Sequence, residues 1–133
     1  MIKERYVNLE VAKLLRDKGF NEKCVRIYNI NNGLIFENYD TCNSELPETN
    51  ELVTAPTQQM ACDWIEETFN ISIEVYVIII GYTVCFRYAL QDPNTASDII
   101  QDYMSFGDNS DGSWSSKELA YNAVLKYVLT NLV

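Results

Sequence analysis

Ile71-Ser72-Ile73-Glu74-Val75-Tyr76-Val77-Ile78-Ile79-Ile80-Gly81-Tyr82 is the most strand-like stretch of the 133-residue chain, and its reading decides the fold. Isoleucine, valine and tyrosine favour a pleated backbone because their side chains pack well on a half-buried surface. Gly81 offers a turn, and Tyr82 to Leu90 can return as the antiparallel partner. Side chains alternate across a strand, so Ile73, Val75, Val77, Val84, Phe86 and Tyr88 share one face, assigned to a helix-covered core. The opposite face then carries Glu74, Tyr76, Ile78, Ile80 and Arg87. A turn at Ile80-Gly81 would set Glu74 across from Arg87, where the two can pair.

Upstream of this hairpin lies a helix that the pattern starts near Pro56, whose fixed φ suits a first helical position. Met60, Ala61, Trp64, Ile65 and Phe69 form its buried stripe. Residues 39 to 55 are polar and acidic (Asp40, Glu45, Glu48, Glu51) with Pro47, and read as a loop. Before them, Val25 to Ile30 and Leu34 to Asn38 flank Asn31-Asn32-Gly33, the strongest short hairpin signal because type I′ turns need positive φ at both central residues. The first helix spans about Leu9 to Lys18, with Asn8 as N-cap and Gly19 where a C′ glycine would end it.

The two halves are alike. Val11, Ala12, Leu15, Phe20 and Asn21 correspond to Met60, Ala61, Trp64, Phe69 and Asn70 at an offset of 49 residues. Dropping one residue then aligns Val25, Ile27, Tyr28 and Gly33 with Ile73, Val75, Tyr76 and Gly81. This order of matches suggests an internal duplication, a helix–hairpin unit at about 8–38 and again at 56–90. Residues 91 to 114 are turn-rich, with a short helix candidate from Ala96 to Met104 behind Thr95. The last helix, about 115–132, opens on Ser115 and Glu118 as a capping box and repeats Leu119, Ala123, Val124, Tyr127 and Val128 with helical period. The expected class is α+β in a single domain over 1–133. The layout is α-ββ-α-ββ-α, with one antiparallel sheet of about four strands and helices packed on one face.

The composition narrows the function. A chain 47% hydrophobic can build a real core. No stretch reaches the roughly 18 apolar residues of a membrane span, and the charged start lacks the apolar run of a secretory leader, so a cytoplasmic location is expected. Nineteen acidic against ten basic residues give a net charge of −9. Phosphate backbones would be repelled, which argues against nucleic acid as a partner. Cys24, Cys42, Cys62 and Cys85 lie 18 to 23 residues apart, with no Cys-x-x-Cys and no histidine. That spacing lacks the tight ligand pairs of structural zinc. The even count admits a disulfide framework, but reduced, buried thiols fit a cytoplasmic chain better.

No motif points to catalysis. Without histidine, only Lys, Asp or Glu could activate a nucleophile, and no spacing singles out such a pair. The five glycines are isolated, so no phosphate-binding loop is written in the chain. Asp108-Asn109-Ser110-Asp111-Gly112 fails calcium-loop spacing, because Gly107 falls where the first aspartate belongs. No catalytic residue, cofactor or metal ligand is therefore assigned. The candidate site is the sheet face left free by the helices, holding Arg26, Tyr28, Glu74, Tyr76, Ile78 and Arg87, with Glu37 beside them. Tyrosines, arginines and aliphatics together make an interface composition. A partner surface is the first reading, and a homodimer its simplest form. The alternatives are that loop 39–55 or segment 91–114 covers this face, or that it takes a small nucleotide-like ligand between Arg26, Arg87, Tyr28 and Tyr76. A carboxylate hydrolase is the third alternative.

The stretch Ala55-Pro56-Thr57-Gln58-Gln59-Met60-Ala61-Cys62-Asp63-Trp64-Ile65, with the Tyr6-to-Phe20 opening and the aromatic-rich final helix carrying Ala120, Tyr121, Ala123 and Tyr127, resembles a group of small uncharacterised proteins encoded by phages and prophages of gut bacteria (Bacteroides type). The group brings no established activity. The resemblance implies a mobile-element context, in which small acidic proteins frequently act by binding another protein.

Overall fold

The computed structural model describes residues 3–49, 51–91 and 114–133. The first helix, α1 (Leu9–Asp17), is followed by strands β1 (Arg26–Asn29) and β2 (Ile35–Phe36), a 3-10 turn at Asn43–Glu45, and strand β3 (Leu52–Ala55). Helix α2 (Gln58–Phe69), the long hairpin β4 (Ser72–Ile80) and β5 (Thr83–Gln91), and helix α3 (Lys117–Tyr127) complete it, with a π-helical turn at Val128–Leu132. The fold is α+β. The candidate helix at 96–104 and the stretch 107–112 lie outside the described residues.

The helices begin where short polar side chains satisfy free backbone donors. Asn8 accepts from the Val11 amide at 2.9 Å, and Thr57, one residue past Pro56, accepts from the Met60 amide at 3.1 Å. For α3 the cap is Ser116 rather than Ser115: its hydroxyl accepts from the Leu119 amide at 3.2 Å. Ser115 is displaced from that role because Trp114, just before it, is still bonded as extended chain to Phe86. Asn70 ends α2 in the left-handed conformation at φ 60°, which asparagine tolerates better than most residues.

The strands form two sheets, not one of four. β1 is flanked by β2 on one edge and β3 on the other, all antiparallel. Both edges of β1 are thus occupied, and β4 and β5 pair with each other instead. The third strand comes from the acidic stretch read as loop. Asn43 pins it in place, donating to the Phe20 carbonyl at 2.9 Å and accepting from the Thr54 amide at 3.0 Å. The first hairpin turns through five residues, 30–34. Asn29 Oδ1 accepts from the amides of Asn31 and Asn32, and Gly33 alone takes positive φ, 73°, so the turn is not the two-residue type I′ form. Helices α1 and α2 start 49 residues apart, the offset on which the internal duplication is read. The strands do not follow it: Ile27 is buried but lies outside the main core cluster, whereas Val75, equated with it by the repeat, packs against that cluster.

The core gathers between the helices and the inner faces of both sheets. Val11, Ala12, Leu15, Phe20, Val53, Ala61, Ile65, Leu90, Ala120, Val124, Leu125 and Val128 are essentially inaccessible to water. Phe20, Trp64 and Phe69 meet edge to face, with ring centroids 5.3 and 5.4 Å apart. α3 is the common contact: it packs on α1, α2, β4 and β5. Polar links reinforce it, from Asn122 Oδ1 to the Asn8 amide at 3.1 Å, from Gln58 Nε2 to the Glu118 carbonyl at 3.0 Å, and between Lys126 and Glu10 at 2.9 Å.

Candidate functional site

The residues chosen from the sequence do not assemble on one surface. Tyr28 is buried in the main core. β1 is covered on both sides: Ile27 is also buried, beneath a segment that brings Leu46, Pro47 and Leu52 around it. Period-two reasoning assumed one open face and therefore turned Tyr28 the wrong way. Arg26 is half-buried and engaged, its guanidinium 3.8 Å over the Tyr6 ring and ion-paired with Glu37. Glu74, Tyr76, Ile78 and Arg87 belong to the other sheet, on the hairpin. A nucleotide-like pocket built from Arg26, Arg87, Tyr28 and Tyr76 together is not formed.

Within the hairpin, the turn is Gly81-Tyr82, with Gly81 at φ 63° and Ile80 paired to Thr83. This moves the turn by one residue and the cross-strand pairing by two from the expected one. Arg87 faces Tyr76, and Glu74 faces Ala89. Glu74 is exposed, whereas Tyr76, Ile78 and Arg87 are half-buried.

The other face of the hairpin divides at its middle. Ile71, Tyr88 and Leu90 are buried, and Ile73, Val75 and Phe86 pack against the core, as alternation requires. Trp114 closes this half, exchanging two backbone hydrogen bonds with Phe86 (2.8 and 2.9 Å) and stacking on Tyr88. Beyond Phe86 the cover ends. Val77 is 57% exposed, Ile79 73% and Val84 53%, although the sequence assigned Val77 and Val84 to the core. Nine strand residues at about 3.4 Å each reach about 30 Å, and the packing against the core stops at Val75 and Phe86. Tyr82 stands fully exposed at the turn.

The result is a bare apolar tip formed by Val77, Ile79, Tyr82 and Val84. Residues 75 to 86 carry no charged side chain, and the hydroxyls of Tyr76, Tyr82 and Thr83 and the Cys85 thiol are the polar side-chain groups of this stretch. That run of twelve uncharged residues through a turn, where polar residues are usual, is the sequence signal that could have marked the tip.

Two of the thiols, those of Cys24 and Cys62, are poor nucleophiles. Burial pushes Cys24 up to about 11, and burial with the neighbouring charges of Asp63 and Glu66 pushes Cys62 up to about 12. Among the described residues no group of three or more His, Cys, Asp or Glu could hold a metal ion, and no helix is long and apolar enough to cross a membrane. Comparison with protein families, curated proteins and solved structures finds no match to this chain.

Proposed function

We propose that this chain is a non-enzymatic protein-interaction module whose binding surface is the tip of the β4–β5 hairpin. The supporting observation is the exposure of Val77, Ile79 and Val84 together on one face of an uncharged segment. Contiguous exposed apolar surface of this kind marks association sites in folded proteins. The surface offers no ionic or multiple hydrogen-bonding groups, so its partner is apolar where they meet, and not a nucleic acid. Four free cysteines suit a reducing, cytoplasmic setting. The same reading takes the chain to be phage- or prophage-encoded, a setting in which small acidic proteins commonly act by binding.

A photo-crosslinking residue placed at Tyr82 should form protein adducts in the cells that make the chain, while the same residue at exposed Asp17 should not. Equal yields at the two positions would remove the tip as a binding surface.

A further inference from the structure

We propose that the N-terminal end of α2 binds hydrogen phosphate, a small oxyanion with a hydroxyl of its own, held by Lys3, Arg5 and the Gln59 amide and donating to Gln58 Oε1. A cavity of about 250 Å³ opens there, lined by the Lys3–Arg5 segment, Thr57–Gln59 and Tyr121, and it shares no residue with the hairpin tip. That is below the roughly 300–1,000 Å³ of sites for drug-sized ligands and suits an ion. Gln58 is the buried member of this lining, 2% exposed, and so forms its floor. Its Nε2 donates to the Glu118 carbonyl at 3.0 Å, which fixes the orientation of the amide. Oε1 is left buried with no hydrogen-bond partner among the described residues. Native folds rarely leave such an acceptor unmet, because the hydration it lost is not replaced. A ligand that completes it must donate a hydrogen bond.

The rest of the lining supplies donors. α2 is twelve residues long, and a helix N-terminus carries partial positive charge. In its first turn the Gln58 amide donates to the Arg5 carbonyl at 2.7 Å and the Met60 amide to Thr57 Oγ1 at 3.1 Å. The Gln59 amide has no such partner among the described residues and remains for a ligand. The Thr57 hydroxyl accepts from Met60 and keeps its proton to donate. Burial pushes the Tyr121 hydroxyl up, so it too stays protonated. Lys3 and Arg5 outnumber Glu4, making a cationic patch on a chain of net −9. Donors on the walls and an acceptor on the floor match an anion that retains a proton. Sulfate, of similar size and equal charge, has none to give. A phosphomonoester loses its last proton near about pH 6, so the free ion is the form that keeps one.

Amide NMR of the intact chain at about pH 7.5 tests this, with separate titrations of inorganic phosphate, sulfate and methyl phosphate. The Gln59 amide should shift saturably with phosphate, bound at least roughly tenfold more tightly than the other two, as one charge-assisted hydrogen bond supplies. The Glu10 amide, at the same position of α1, should not move. Gln58→Met should bring phosphate affinity down to that of sulfate. If this variant does not fold, Arg5→Gln, at an exposed position, should weaken phosphate at least roughly threefold with an unchanged far-UV spectrum. Shifts that never saturate, equal affinity for phosphate and either other anion, or a preference that survives Gln58→Met overturns the inference. So does an Arg5→Gln chain that binds like the parent. An equal shift at Glu10 reduces the effect to attraction by any helix end, and overturns it as well.

Discussion

The hydroxyl of Tyr28 donates a 2.6 Å hydrogen bond to the carbonyl oxygen of Val7, joining the middle of β1 to the chain just before α1. Both residues are buried, so water cannot replace the donor. Tyr28→Phe leaves that oxygen unsatisfied and should cost roughly 1–3 kcal/mol. Urea unfolding should show a lower midpoint with an unchanged slope. A variant as stable as the parent would mean that the bond contributes nothing net.

The start of α3 separates two adjacent serines. Only Ser116 is bonded to the helix, so Ser116→Ala should destabilise by about 1 kcal/mol while Ser115→Ala stays within about 0.5. Thermal melts of the two variants decide it, and the reverse order would restore the cap at 115.

Asn43 holds three segments at one point, since its side chain joins the end of the first helical unit at Phe20 to β3 at Thr54. Asn43→Ala should lose both bonds, at a cost on the order of 1–3 kcal/mol. Hydrogen exchange should report faster exchange at the Thr54 amide, with little change along β4 and β5, which belong to a separate sheet.

High pH should destabilise the fold through its thiols. In the folded chain Cys24 and Cys62 ionise near 11 and 12, above the ordinary 9.0. Above pH 9 the unfolded chain loses protons that the folded chain keeps. The stabilisation is therefore complete below about 9 and declines as pH rises through the folded values. Cys62 alone should account for about 1.4 kcal/mol per pH unit in that window. Cys62→Ala should flatten the decline, as measured by urea unfolding at pH 8, 9 and 10.

Local signals were readable in the sequence, and long-range ones were not. Asn8, Gly19 and Gly81 mark their element ends because caps and turns depend on a few neighbouring residues. Leu52–Ala55 escaped notice because a four-residue strand inside an acidic stretch has no periodicity of its own; it exists through Asn43 and through pairing with β1. That pairing used the edge through which the two halves could have joined, which is why one sheet became two. Alternation correctly sorted Ile73, Val75, Phe86 and Tyr88 toward the core. It gave the direction of Val77 and Val84 but not the point along the hairpin at which the core stops. Tyr28 failed for a different reason: covering both faces of β1 removes the contrast on which alternation relies.

The placement of α3 also bears on how the chain is made. The two sheets share no strand, and the helix that touches both α1 and the hairpin follows them in sequence. A nascent chain extending only to Gln91 would have most of its apolar wall in place but no lid over it. The ribosome must therefore release residues beyond 117 before the interior can close, and until then the chain depends on whatever shields it from aggregation.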